Sequence, residues 1–213
     1  MTRKLSPEVL AAVLTGALSG IAGGLLFAAL HAIIIVPIWN RIASGLVWGA
    51  VAGAGAGWAF AECFPAAIRA RTKRGIATGS LFGALLWLAV APVTAADAVF
   101  RAAGLYPRYE LLAVALAVLL AVSGGGLLGW LLTHRRRALV AGAVAGLLLV
   151  LAMAGPVPVG RSDRARNIFL AVFPAAVLGG LALGLIAPSI FARITRARTP
   201  GTDSHPNAAA TRE

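Results

Sequence analysis

Residues 42–61 read IASGLVWGAVAGAGAGWAFA, twenty positions without a charge, with Gly45, Gly49, Gly53 and Gly57 at an unbroken step of four. A helix turns once in about 3.6 residues, so that step keeps the glycines on one face. About 20 apolar residues in a helix cross roughly 30 Å of hydrocarbon, and this run is that long. It therefore reads as a membrane-crossing helix with one face smooth enough for another backbone to approach. Isolated strands are excluded, because lipid offers no partner to open-edge backbone groups. An outer-membrane barrel would show alternating segments of about 10 residues rather than continuous apolar ones.

Working outward, charged residues cut the rest of the chain into five more uncharged stretches, at 9–40, 75–96, 111–133, 138–160 and 167–192. The 213 residues are 60% hydrophobic and only 12% charged, too few polar groups to coat a water-soluble globule of this size. The fold class expected is all-α: a polytopic membrane protein with six transmembrane helices, over about 9–36, 42–64, 75–96, 111–132, 138–155 and 168–190. These form one domain, 1–192, followed by a basic, disordered cytoplasmic tail, 193–213, rich beyond Thr199 in Pro, Gly, Thr, Asn and Ala. The first stretch is too long for a secretion signal, and Ser6-Pro7-Glu8 makes a helix start, so this helix is expected to be retained. Residues 98–105 are expected to form a short helix lying in the interface, ended by Tyr106-Pro107.

Lys and Arg in the short loops set the orientation. With six spans, thirteen of them fall on the side of the N-terminus, among them Arg69, Arg71, Lys73, Arg74 and the run Arg135-Arg136-Arg137. Six fall on the other, including Arg41, Arg101, Arg108 and Arg161. Both termini are thus expected in the cytoplasm, the chain being a multi-pass protein of the cell inner membrane. The formal charge of +12 then answers to topology and to anionic membrane lipids, the expected partners. A nucleic-acid partner is not expected, since no basic stripe with interleaved aromatics is present.

Small residues recur every four positions in the other spans too. Gly16, Gly20 and Gly24 mark the first; Gly75, Gly79 and Gly83 the third; Ala117, Ala121, Gly125 and Gly129 the fourth; Gly142 and Gly146 the fifth; Ala176, Gly180 and Gly184 the sixth. Lipid supplies no hydrophobic force between helices, so close backbone contact must hold them together, and these faces permit it. Six spans also divide into three and three, which would place the halves in opposite orientations, the plan of many secondary transporters. Direct sequence support for such halves is thin. Phe64-Pro65-Ala66-Ala67 recurs as Phe173-Pro174-Ala175-Ala176, but one copy closes a span and the other opens one.

Polar groups at the membrane boundary carry the functional reading, because their desolvation is costly unless something is gained. His31 lies a turn or two below the outer surface. Asp97 closes the third span on that side, with Asn40 and Arg41 beyond the first span and Glu110 at the mouth of the fourth; together they are expected to form an outward vestibule. A histidine beside a carboxylate can exchange protons, although a lone histidine hydrogen-bonded to a neighbouring helix explains His31 as simply. Glu62, in the apolar run Trp58-Ala59-Phe60-Ala61-Glu62-Cys63, is the inner counterpart, with pairing to Arg69 or Arg74 the plainer alternative. Pro92, Pro174 and Pro188 are candidate helix breaks.

Enzyme readings fail on their required groups. His31, His134 and His205 are scattered, Asp97 is the only aspartate near hydrocarbon, and no phosphate-binding glycine loop runs into Lys-Ser or Lys-Thr. No catalytic residue, metal or cofactor is expected, and the single Cys63 permits neither an internal disulfide nor a thiolate cluster. The function expected is transport of a small solute or ion, coupled to protons, by a permease or transporter component. The transporter is expected to keep its polar cavity within one chain or a symmetric homodimer; the alternative is a non-catalytic structural or assembly subunit that packs against a larger membrane complex through its small-residue faces.

Overall fold

The computed structural model describes residues 5–32, 38–69, 73–105, 109–154 and 164–198, with side chains absent from the description at several helix ends. Among the described residues there are seven helices and no strand: α1 (Pro7–Ala32), α2 (Ile38–Cys63), α3 (Pro65–Arg69), α4 (Lys73–Ala102), α5 (Glu110–Thr133), α6 (Arg136–Ala154) and α7 (Arg164–Arg198). Among the described residues, four stretches are long and apolar enough to cross a membrane: Pro7–Leu25, Arg74–Val93, Leu111–Thr133 and Ala176–Ala197. The smooth face of α2 is made of glycine and alanine, which suit it to contact with another helix.

Local chemistry accounts for the helix ends. Ser6 Oγ accepts the Val9 backbone N–H at 3.3 Å, capping α1, and Glu8 sits in the first turn near the positive end of the helix dipole. α5 closes on His134, which adopts the left-handed conformation at φ 53° and donates its N–H to the Trp130 carbonyl at 2.7 Å. Thr133 Oγ1 accepts the Arg135 N–H at 3.2 Å, so α6 begins within two residues of the end of α5.

Two differences from the sequence reading concern boundaries. Residues 98–102 continue α4 rather than forming a separate interfacial helix, because the alanine-rich run from Thr94 to Ala103 holds no breaker; the chain turns at Gly104, φ 66°. α7 likewise runs six residues past 192, to Arg198. Pro92 lies inside α4, and Pro174 and Pro188 inside α7.

Three antiparallel seams hold the bundle together. On α1 and α2, Gly16 faces Gly53, Gly20 faces Gly49, Gly24 faces Gly45 and Ala12 faces Gly57; each step of four up one helix is a step of four down the other. On α5 and α6, Ala121 faces Gly146, Gly125 faces Gly142 and Ala138 faces Gly129. On α4 and α7, Gly75 faces Gly184, Gly79 faces Gly180 and Gly83 faces Ala176. At Gly16, Gly20, Gly24, Gly49, Gly53, Gly57, Gly79, Gly83, Gly125, Gly129, Gly142, Gly146, Gly180 and Gly184 a Cβ would land on a carbonyl oxygen of the opposing backbone, so hydrogen is the only side chain that fits there. All eleven glycines singled out for packing, Gly16, Gly20, Gly24, Gly45, Gly49, Gly53, Gly57, Gly79, Gly83, Gly125 and Gly129, lie in these seams.

The seams are linked by broader contacts of α1 with α7, α2 with α6 and α4 with α5. Going round the bundle, the order is α1, α2, α6, α5, α4, α7 and back to α1. The interior is filled by Phe60, Phe82, Leu86, Trp87, Val90 and Leu183, with Ile68 of α3 sealing the end where the α1 N-terminus meets α7. The outward surface carries Leu18, Leu81, Leu88, Leu119 and Leu131, each more than half exposed, an apolar exterior that suits lipid and not water.

Candidate functional site

The helix ends divide the charged residues between two poles. α1 ends near His31, α2 begins with Asn40 and Arg41 in its first turn, α4 carries Asp97 in its last two turns and α5 opens at Glu110. The antiparallel seam of α1 and α2 brings the first two of these ends to one pole. The side chains of His31, Asn40, Arg41, Asp97 and Glu110 lie outside the described residues, as do Tyr106, Pro107 and Arg161.

The opposite pole is described in detail. Glu62, half buried in the last turn of α2, accepts a hydrogen bond from Trp58 Nε1 at 3.4 Å, one helical turn back. The ion pair anticipated for it goes elsewhere: Arg69 Nε donates to Glu8 Oε1 at 2.9 Å, and a terminal guanidinium nitrogen lies 2.9 Å from the same oxygen. This pair ties α3 to α1 across 61 residues of chain. Glu62 is therefore held on its own helix, beside Phe64, whose ring meets Phe60 at 5.7 Å and Phe82 at 6.0 Å, with Phe60 to Phe82 at 5.5 Å. Three rings at edge-on and tilted angles fill the bundle just inside Glu62.

Polar chemistry is sparse between the poles. Thr15 is the one buried polar residue among those described, and its Oγ1 donates to the Ala11 carbonyl at 2.8 Å, which satisfies it within its own helix. No group of three His, Cys, Asp or Glu among the described residues is placed to hold a metal ion. The interior between Glu62 and the far pole is thus apolar along the part described.

Sequence reasoning did not find the open groove on the outer face of the α5 and α6 pair, lined by Val122, Ser123, Gly126, Trp130, Leu139 and Ala143. Its volume is about 480 Å³. The signal was present in Gly124-Gly125-Gly126, of which only Gly125 belongs to the four-residue series. Gly124 faces the Ala89 carbonyl of α4, whereas Gly126 meets nothing nearer than the Ala143 methyl at 3.4 Å.

Compared with models of protein families, with curated proteins and with solved structures, the chain gives no match. What the fold defines is a class: a chain that is all-helical among the described residues, with four helices there long and apolar enough to cross a membrane, closed by glycine seams around an apolar interior.

Proposed function

We propose that the chain is a six-span inner-membrane protein, built of two three-helix halves of opposite orientation, that moves a small solute or ion as a transporter component. In this reading α1, α2, α4, α5, α6 and α7 are the six spans, both termini are cytoplasmic, and lipid is the surrounding partner. The observation that carries it is an equivalence of contacts. Exchanging α1, α2 and α4 with α5, α6 and α7 leaves the neighbour order round the bundle unchanged. The exchange also keeps register: Gly16 and Gly53 go to Ala121 and Gly146, Gly20 and Gly49 to Gly125 and Gly142, Gly24 and Gly45 to Gly129 and Ala138.

Two contacts return onto themselves under the same exchange, Gly79 with Gly180 and Gly55 with Leu148. These are the points where a two-fold axis lying in the membrane plane would enter and leave the bundle. Three spans in each half make the halves inverted, the arrangement on which alternating access by rocking is built. His31 and Asp97 serve the outer gate and Glu62 the inner one, with Asn40, Arg41 and Glu110 at the outer mouth. Purified chain in sealed vesicles with an imposed membrane potential should conduct protons, read with an entrapped pH dye. His31→Ala combined with Glu62→Gln should abolish that flux; unchanged flux rejects their roles.

A second reading is favoured by the closed apolar interior. With Phe60, Phe82 and Trp87 filling the bundle, a non-catalytic subunit of a larger membrane complex would need nothing more than these packed seams. Purification in mild detergent separates the two: a stoichiometric partner, whose deletion lowers the abundance of this chain, belongs to the subunit and not to the transporter.

A further inference from the structure

We propose that the groove on the outer face of α5 and α6 is a specific site for an anionic diacyl phospholipid, with an acyl chain along Gly126 and Ala143 and the phosphate on the Arg135-Arg136-Arg137 turn. The groove and the turn are continuous. Trp130 and Leu139, which line one end of the groove, are five residues before and four after Arg135, and all three arginines are exposed. No carboxylate among the described residues pairs with them; the one ion pair there is Glu8 with Arg69. The turn is held in shape by the left-handed His134, by the Thr133 hydroxyl and by the Trp130 indole, whose ring meets His134 edge-on at 5.7 Å. Arg135 and Arg136, four and three residues before Leu139, share its helical face at one end of the apolar trough, the charge arrangement that phosphate above an acyl chain would complement.

The floor of the trough differs in sequence from the corresponding face of the first hairpin. In the register that equates Gly20 with Gly125, the α1 and α2 pair carries Leu18 and Ile21 where α5 has Ser123 and Gly126. Leu18, 60% exposed, and Ile21 thus stand where α5 has Ser123 and Gly126, whereas Leu127 and Trp130 of α5 stand where α1 has Ala22 and Leu25. Ser123 and Gly126 leave room for a chain to lie against the helices, and Trp130, one turn before the end of α5, is the kind of side chain that favours the headgroup boundary.

The test is native mass spectrometry of the full chain in detergent, titrated with phosphatidylglycerol and, separately, with phosphatidylcholine of the same acyl chains. The wild-type protein should retain phosphatidylglycerol in preference to phosphatidylcholine. R135Q, R136Q and R137Q combined should bring the two lipids level, by about fivefold for each arginine removed. S123L with G126I, which copies the residues of the first hairpin, should lower retention of both lipids. The arginine variant touches only exposed side chains and keeps the test informative if the groove variant folds poorly. Equal retention of the two lipids by the wild-type protein, or an undiminished preference in the arginine variant, would overturn the proposal.

Discussion

Gly20 and Gly23 lie three residues apart on α1, and helix propensity treats them alike: replacing either by alanine gains about 1 kcal/mol in a helix interior. Their surroundings do not agree. At Gly20 an added Cβ falls on the Gly49 carbonyl oxygen and lies 3.1 Å from the Gly53 Cα, whereas at Gly23 nothing stands within 4 Å. The obstacle at Gly20 is backbone on a paired helix, which cannot swing aside as a side chain can. Overpacking of a well-packed contact costs about 1–3 kcal/mol, and a rigid obstacle belongs to the upper part of that range. Gly23→Ala should therefore stabilise by up to ~1 kcal/mol and Gly20→Ala destabilise by ~1–2 kcal/mol, a separation of about 2–3 kcal/mol between neighbours of identical chemistry. Unfolding by sodium dodecyl sulfate in mixed micelles, followed by circular dichroism, measures both midpoints. Gly179→Ala and Gly180→Ala repeat the comparison on α7, where Gly180 meets the Gly79 carbonyl and Gly179 meets nothing. Equal midpoints within each pair would refute the claim that backbone contact holds the seams.

Other outcomes follow from the same geometry. Glu8→Gln should cost less than about 1 kcal/mol, and the loss should shrink in high salt, because Arg69 is 63% exposed and an exposed pair is screened; melting curves at two ionic strengths check this. Phe82→Ala should cost about 3–5 kcal/mol by emptying the space between Phe60 and Phe64, read in the same detergent titration. In a Cys63→Ala background, cysteines at Arg71 and Arg136 should resist an impermeant maleimide applied to intact cells and react after lysis. Ready labelling of both from outside would reverse the proposed orientation.

Much of the architecture is written in spacing. A step of four residues advances about 400° round a helix, close enough to a full turn to mark one face, so each glycine series announced a contact surface before its partner was known. The partner itself was not legible. Nothing in 75–83 says that its glycines meet 176–184 rather than the next span, since a four-residue step is the same on every helix. Gly55 and Gly124 escaped for the converse reason: each serves a contact made at one point, with Leu148 and Ala89, and leaves no repeat to see. The Glu8–Arg69 pair was missed because α3, a five-residue helix opening at Pro65, turns the chain back toward α1. Of the candidate pathway, only Glu62 lies among the described side chains, and its partner is the tryptophan one turn behind it rather than an arginine from the loop.

Seams without side chains also bear on motion. Where knobs sit in holes, one helix slides past another only by climbing out of each socket, with rotamers changing on both sides. Gly16, Gly20 and Gly24 have no knobs, and neither do Gly45, Gly49 and Gly53 opposite them. Such a pair resists being pulled apart, since separation forfeits contact along its whole length, yet it meets little corrugation when displaced along its axis. Two helices joined this way form a slide bearing, tight across the joint and smooth along it, so that shear of α1 along α2 is cheaper than their separation.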